Sequence, residues 1–582
     1  MSEPSTNMTY SEVFEKAKIA LTKVTSIFRR DRFRVWYVFL FFLSLFLVSY
    51  MSIDKTASLD DHFFHIRFAA TIAEKGWGAF SGFQSIYFSK MSIGHEYLVY
   101  YNFLFYLILI PFSFLNPLVL GLKLYGVMAL AVSFTVIYWF LKKVSVRYPF
   151  LWTIIFYVVL AQSGWLVRFA SARPFTLAPV LLVLMLYAVH TNRYKTSAVI
   201  AFLYFFWHTA TFMFPLCLAI GYVVFELFYG KKFDKKKVWL PLMGTGTAVL
   251  LAYIISPGIV DYLRDVIFPV FFETAFGKTS GIVEGNEVYG RDFFTLLKTF
   301  YGLFSALFIF GSYEILLYIR TKKGTGIAEE RVDPDIQPLR SMLFMASLVF
   351  LVLSTLSSRF IDYFPYFAIL YVSIVATDVL RFVEIRGVTF RKAFIGGLLL
   401  VSGYLCVSLT LDFSTVIADG QSYLTSQMPA EWLNKNVDAG KIIFNSSWSS
   451  FPTLYYFTGD RFRYVNGLEP RFLYDLSHRL YWTWVHIGAD GFYCAERECP
   501  ELSELQKAVL KGEDAGKQDW YEQQGTRIAD SIRRDFESDI VVVPIGQQYL
   551  LDVMDHSNRF HKEYLDKENS LYGVYRVLEE VK

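Results

Sequence analysis

The chain has 582 residues, 54% hydrophobic and 19% aromatic, with a mean hydropathy of +0.37 and a formal charge of +4. A water-soluble globule of this size would not carry so much apolar surface. Repeated apolar runs of roughly 17–25 residues indicate a polytopic α-helical membrane protein.

In chain order, residues 1–34 are polar and close on the basic "FRRDRFR" (28–34), which predicts a cytoplasmic N-terminal segment and a retained first anchor at 35–51. Basic stretches recur at 142–147, 192–195, 231–237, 320–326 and 381–392. Placing them all on the cytoplasmic side predicts spans near 118–141, 149–166, 174–190, 196–208, 211–229, 238–256, 295–319, 341–357, 361–380 and 393–412. That makes about eleven spans within residues 35–412. The run "EYLVYYNFLFYLILIPF" (96–112) would invert every later loop if it crossed. Its tyrosines suit an interface, so it is expected to lie on or dip into the membrane. The outer loops are then 52–117 and 257–294, with short outer corners at 167–173, 207–210 and 357–360. Residues 413–582 read as a soluble extracytoplasmic α/β domain, with strands in "KIIFNSSW", "SDIVVVPI" and "SLYGVYRVL" and a helix in "GQQYLLDVM".

The unusual polar groups gather on this outer side. In "SLDDHFFHIRFAA" (58–70), Asp60 suits a helix N-cap. Asp61, four residues before His65 and close to Arg67, has more company than capping requires. "KTSGIVEGNEVYGRDFF" (278–294) carries Glu284, Glu287, Arg291 and Asp292 among glycines, as either a solvated linker or a loop that closes over substrate. Arg168, Arg173 and Arg359 lie at outer membrane ends. Each could snorkel to headgroups, and together with carboxylates they could hold a lipid phosphate. His208, in "FFWHTATF", is a structural histidine or a further site member. Cys494 and Cys499 flank "CAEREC" and suit a disulfide if that segment meets an oxidising compartment. No P-loop, dinucleotide, zinc-protease or nucleophile-elbow motif is present. The basic clusters flank spans and do not form an aromatic-laced patch, so no nucleic-acid partner is expected.

"DHFFHIR" resembles the first-loop motif of GT-C-type glycosyltransferases, closest to the D-P-x-x-x-x-R pattern of oligosaccharyltransferase catalytic subunits, with Asp61 and Arg67 on the matching positions. "SGIVEGNE" resembles their S-V-x-E loop motif, with Glu284 in place of its glutamate. "SSRFIDYF" resembles their R-F motif, whose arginine, here Arg359, meets the donor phosphate, and Arg168 resembles the arginine of their second outer loop. The family's second D-x-D motif is replaced by "FASARPFT", with Arg173 and no carboxylate. Its W-W-D-Y-G acceptor motif is absent, although Trp448 and several aromatics stand at that place in 446–462.

The resemblance implies a GT-C-like membrane enzyme that moves a sugar or oligosaccharide from a polyprenyl-phosphate or diphosphate carrier to an extracytoplasmic glycan, lipid or protein acceptor. Asp61 would serve as base, with the arginines on the lipid phosphate and Trp448 on the acceptor side. A divalent metal (Mg or Mn), if used, would sit on Asp61 and Glu284. With the second acidic motif lost, either the metal is held weakly or catalysis is metal-free, as in the related protein mannosyltransferases and aminoarabinose transferases. The alternatives are a metal-dependent oligosaccharyltransferase acting on protein and a non-catalytic transporter of lipid-linked sugars. A transporter is disfavoured because the charges lie at span ends and no internal repeat is visible.

Overall fold

The computed structural model describes residues 31–51, 61–76, 102–269, 290–322, 335–384, 388–418, 426–468, 470–499, 517–565 and 572–579. Each run predicted to span is helical. The helices include Asp31–Met51, Leu118–Lys143, Pro149–Gln162, Ala178–His190, Tyr194–Trp207, Phe214–Phe228 and Lys236–Ile255. Tyr301–Lys322, Gln337–Leu356, Phe364–Glu384 and Val388–Ala418 complete the series. By length and composition, six of the described helical segments can cross a membrane, or seven if the bent pair Phe293–Thr299 and Tyr301–Leu316 counts as one. Several of these helices carry proline in the first turn, where a missing N–H costs nothing and φ is already helical. The helix within 96–112 is Phe103–Ser113, eleven residues. At about 1.5 Å per residue it falls well short of a bilayer core. Residues 96–101 lie outside the described residues.

Close helix approach is built in near the future site. A Cβ at Gly126 would meet the Ala170 carbonyl oxygen at 1.9 Å, so only glycine lets Leu118–Lys143 touch the short helix Trp165–Phe169. At the opposite end of the bundle, buried ion pairs lock neighbouring spans: Lys237 donates to Glu226 at 2.6 Å and Arg340 to Asp378 at 2.7 Å.

The C-terminal part contains a five-stranded sheet: β1 (Ile442–Asn445), β2 (Arg463–Tyr464), β3 (Ile540–Pro544), β4 (Phe560–Leu565) and β5 (Tyr572–Val577). The order is β2-β1-β3-β5-β4, with β1 parallel to β2 and β3, and β5 antiparallel to β3 and β4. Side chains alternate between its faces, as strand geometry requires. Ile443, Ile540, Val542 and Val574 join the same apolar core as the membrane helices. Phe444, Val541, Val543 and Tyr575 face a second core built with Ile528, Ile532 and Phe536. One face of the sheet is thus continuous with the bundle.

Candidate active site

The site grows from the helix Asp61–Lys75, at the end of the bundle where the sheet packs. Its apolar face is pinned to the helix Phe451–Thr458. Phe64 meets Phe451 and Tyr455 with ring centroids 5.7 and 5.2 Å apart, and Phe63 meets Tyr456 at 5.3 Å. On its other flank His65 Nδ1 lies 2.8 Å from the Tyr106 hydroxyl. Lys75 pairs with Asp460. The Arg67 guanidinium lies over Gly459, where a Cβ would stand 2.7 Å from it and where φ is +59°. The positive φ favours glycine there, and a larger residue would also have to displace the Arg67 side chain.

With the helix held along its length, its first residue is fixed. Asp61 accepts a hydrogen bond from the Arg173 guanidinium. Arg173 also stands over the Phe175 ring, 5.0 Å from its centroid. The following segment is tied to a distant corner: Trp207 donates its indole N–H to the Pro174 carbonyl at 2.6 Å. That bond brings in His208, whose Nδ1 lies 2.5 Å from Thr211 Oγ1 and 3.2 Å from the Tyr363 hydroxyl. Burial, then the positive charges of Arg359 and Arg173, push the His208 imidazole down to about 3, so it is neutral. Burial and Arg173 do the same to His62, also to about 3, and drive His65 well below its ordinary value, with His62 adding to the latter. Asp61, Arg173, Arg359 and three neutral histidines therefore share one neighbourhood.

Arg168 is engaged differently from its two fellow arginines. Its Nε and Nη2 donate to the two carboxylate oxygens of Asp362 at 2.7 and 2.9 Å. Both side chains are nearly inaccessible, at 10% and 1% exposure. Asp362 closes the turn Ser358–Asp362, which carries Arg359. Arg168 thus anchors the turn that presents Arg359, and its fork is already filled by a carboxylate. The Arg168 and Arg291 guanidinium groups both lie near the Trp165 ring, 5.3 and 5.6 Å from its centroid. Arg291 arrives there because its backbone N–H donates to the Ser354 carbonyl at 3.2 Å.

Asp60, Glu284 and Glu287 lie outside the described residues. Asp292 caps the helix Phe293–Thr299 by accepting from the Thr295 N–H at 3.0 Å. Trp448 packs against the second core, on the far face of the sheet. Cys494 and Cys499 form a disulfide. The sequence reading missed His62, Asp362 and Tyr363, as well as His486, which lies beside both cysteine sulfurs. With both sulfurs joined in the disulfide, that trio offers a metal no thiolate. Around Asp61, an arginine already engages the carboxylate and a second arginine stands nearby. Among the described residues, that donor set offers a divalent cation one carboxylate already engaged by an arginine, while Glu284, the other expected ligand, lies outside the described residues.

The structure also contains an apolar groove of about 510 Å³. It is lined by Phe103, Phe206, Leu251, Ile255 and Ile259 among others. Phe103 and Phe206 in its lining lie close in sequence to Asn102 and Thr209, where the Thr209 N–H donates to Asn102 Oδ1 at 3.0 Å and the Asn102 N–H donates to Thr209 Oγ1 at 3.2 Å.

Among solved structures, the fold is similar to that of ArnT from Cupriavidus metallidurans, whose crystal structure has undecaprenyl phosphate bound. The TM-score is 0.50 at 11% sequence identity, over 92% of this chain and 97% of that one. No family model matches the sequence, and no curated protein does. The chain is an integral-membrane protein with an ArnT-like fold.

Proposed function

We propose that this chain is a GT-C-type glycosyltransferase. It takes a sugar from a polyprenyl-phosphate or diphosphate carrier and passes it to an acceptor on the extracytoplasmic face. The observation that carries this reading is the Asp61–Arg173 pair beside His208 and Arg359, at one end of an ArnT-like bundle. A carboxylate can take the acceptor's proton, and arginines can stabilise the charge on a departing phosphate.

The acceptor hydroxyl attacks the anomeric carbon while the bond from that carbon to the phosphate oxygen breaks. The proton passes to Asp61, and the electron pair leaves with the lipid phosphate. Negative charge therefore grows where Arg359 and Arg173 stand, and stabilising it there lowers the barrier. Arg173 links the two events: as it turns from Asp61 towards the departing phosphate, the freed carboxylate becomes the stronger base. Arg168 acts through Asp362, holding Arg359 in place. The apolar groove takes isoprene units of the carrier. The described residues about Asp61 suit an anion better than a cation, and no step here passes through a metal.

Binding of polyprenyl phosphate to the purified chain in nanodiscs tests this reading. Wild-type protein should be stabilised against heat, and Leu251→Trp, which fills the groove, should lose that stabilisation. Equal stabilisation of both proteins would remove the groove from the account.

A further inference from the structure

His62 differs from every other histidine around Asp61. It is 0% exposed, yet neither ring nitrogen has a hydrogen-bond partner among the described residues. His65 and His208 each have a hydroxyl within 2.8 Å of a ring nitrogen. Burying a polar group without a partner costs free energy, and native structures seldom leave one so without a use. We propose that His62 is a substrate-contacting residue, kept without protein partners so that it can exchange hydrogen bonds with hydroxyls of a sugar ring bound beside Asp61; this rests on the glycosyltransferase reading above.

The chemistry selects the ligand class. Burial and Arg173 keep the imidazole neutral, so it offers one donor and one acceptor. A phosphate presents acceptors only and would satisfy one nitrogen. Neighbouring sugar hydroxyls both give and take, and satisfy both. The position agrees: His62 follows Asp61 in the first turn of a helix held along its length, within reach of the Arg173 charge. A cation in place of the sugar would face Arg173 at close range. The sugar could belong to the donor or to a glycan acceptor, and the two can be told apart.

The test uses the full chain in nanodiscs with His62→Leu, which removes both nitrogens at similar volume, and His62→Gln, which keeps a donor and an acceptor. Without ligand, His62→Leu should melt about 2 °C or more above wild type, because a buried unpartnered group has been removed. Its affinity for bare polyprenyl phosphate should stay within about twofold. If the donor supplies the sugar, affinity for a polyprenyl-phosphate hexose should fall about tenfold or more. If the acceptor supplies it, the same loss should appear for a methyl hexoside added to protein saturated with polyprenyl phosphate. His62→Gln should recover most of either loss. A lower melting temperature for His62→Leu, or unchanged affinity for both sugar-bearing probes, would overturn the proposal and leave the glycosyltransferase reading standing. Failure of wild type to bind either polyprenyl probe would overturn that reading itself.

Discussion

Arg173 donates a hydrogen bond to the carboxylate of Asp61 across 112 residues of sequence. The pair joins the first turn of the helix Asp61–Lys75 to the segment after Trp165–Phe169. In the proposed reaction Arg173 is a cation where leaving-group charge would develop. Arg173→Gln removes that cation while keeping a hydrogen-bond donor. Initial rates of sugar transfer should fall by about 10²-fold or more, the range seen when one transition-state donor is lost. A loss confined to the acceptor KM would instead make Arg173 a binding residue only.

Arg168 and Asp362 form a two-bonded ion pair in a nearly inaccessible place. Truncating either partner strands a buried charge, which costs about 3–5 kcal/mol. Asp362→Ala should therefore lower the midpoint of thermal unfolding by several degrees. Replacing both residues by apolar ones of similar size should recover much of the loss, and chemical or thermal unfolding in detergent reads the difference.

Arg359 stands on the turn that Asp362 closes and bears electrostatically on His208. Arg359→Ala should weaken polyprenyl phosphate binding by about tenfold or more, as expected for a lost charge-assisted contact. The folded state should be little altered, because the Arg168–Asp362 pair remains. Titration with bare polyprenyl phosphate measures this without reference to the sugar.

His486 gives a pH signature in the C-terminal part. Its Nδ1 lies 2.8 Å from Asp490 Oδ2 and its Nε2 2.9 Å from the Glu496 carbonyl. Both partners are acceptors, so both nitrogens must carry protons. Burial works against the imidazolium, but the hydrogen bonds to Asp490 and Glu496 outweigh it and raise its value above 6.5. The folded state then holds the proton more tightly than the unfolded chain. This stabilisation is complete below pH 6.5 and fades as pH rises through the raised value. Hydrogen exchange at 478–499 should be slower at pH 6 than at pH 8 after correction for intrinsic rates, and His486→Phe should remove the difference.

Much of this architecture was legible in the sequence. The alternation of apolar runs with basic loops located each long helix, because hydropathy and charge at span ends follow directly from the bilayer. The same pattern led us to expect Asp61, Arg173, His208 and Arg359 on one side of the membrane, and in the structure Asp61 meets Arg173 while Arg173 and Arg359 bear on His208. Pairing was less legible. Nothing local in "SSRFIDYF" assigns Asp362 to an arginine 194 residues earlier, and so Arg168 read as a free phosphate ligand. The two-residue strand β2 and the polar β4, "FHKEYL", lack the apolar runs that marked β1 and β3. The docking of Asp61–Lys75 on Phe451–Thr458 depends on ring contacts between segments almost 400 residues apart, which periodicity cannot reveal. His62 looked like one more polar residue in a charged stretch, and only its burial without a partner singles it out.

The most direct measurement is the rate of sugar transfer from a purified polyprenyl-phosphate donor by wild type and Asp61→Asn, each with excess chelator, in membranes that contain the acceptor. Asparagine keeps the size and can still meet Arg173, but it cannot take the proton. Wild type should work at full rate in chelator, and Asp61→Asn should lose about 10²-fold or more while still binding donor. Full activity in Asp61→Asn, or a wild-type enzyme silenced by chelator and restored by magnesium or manganese, would contradict the account.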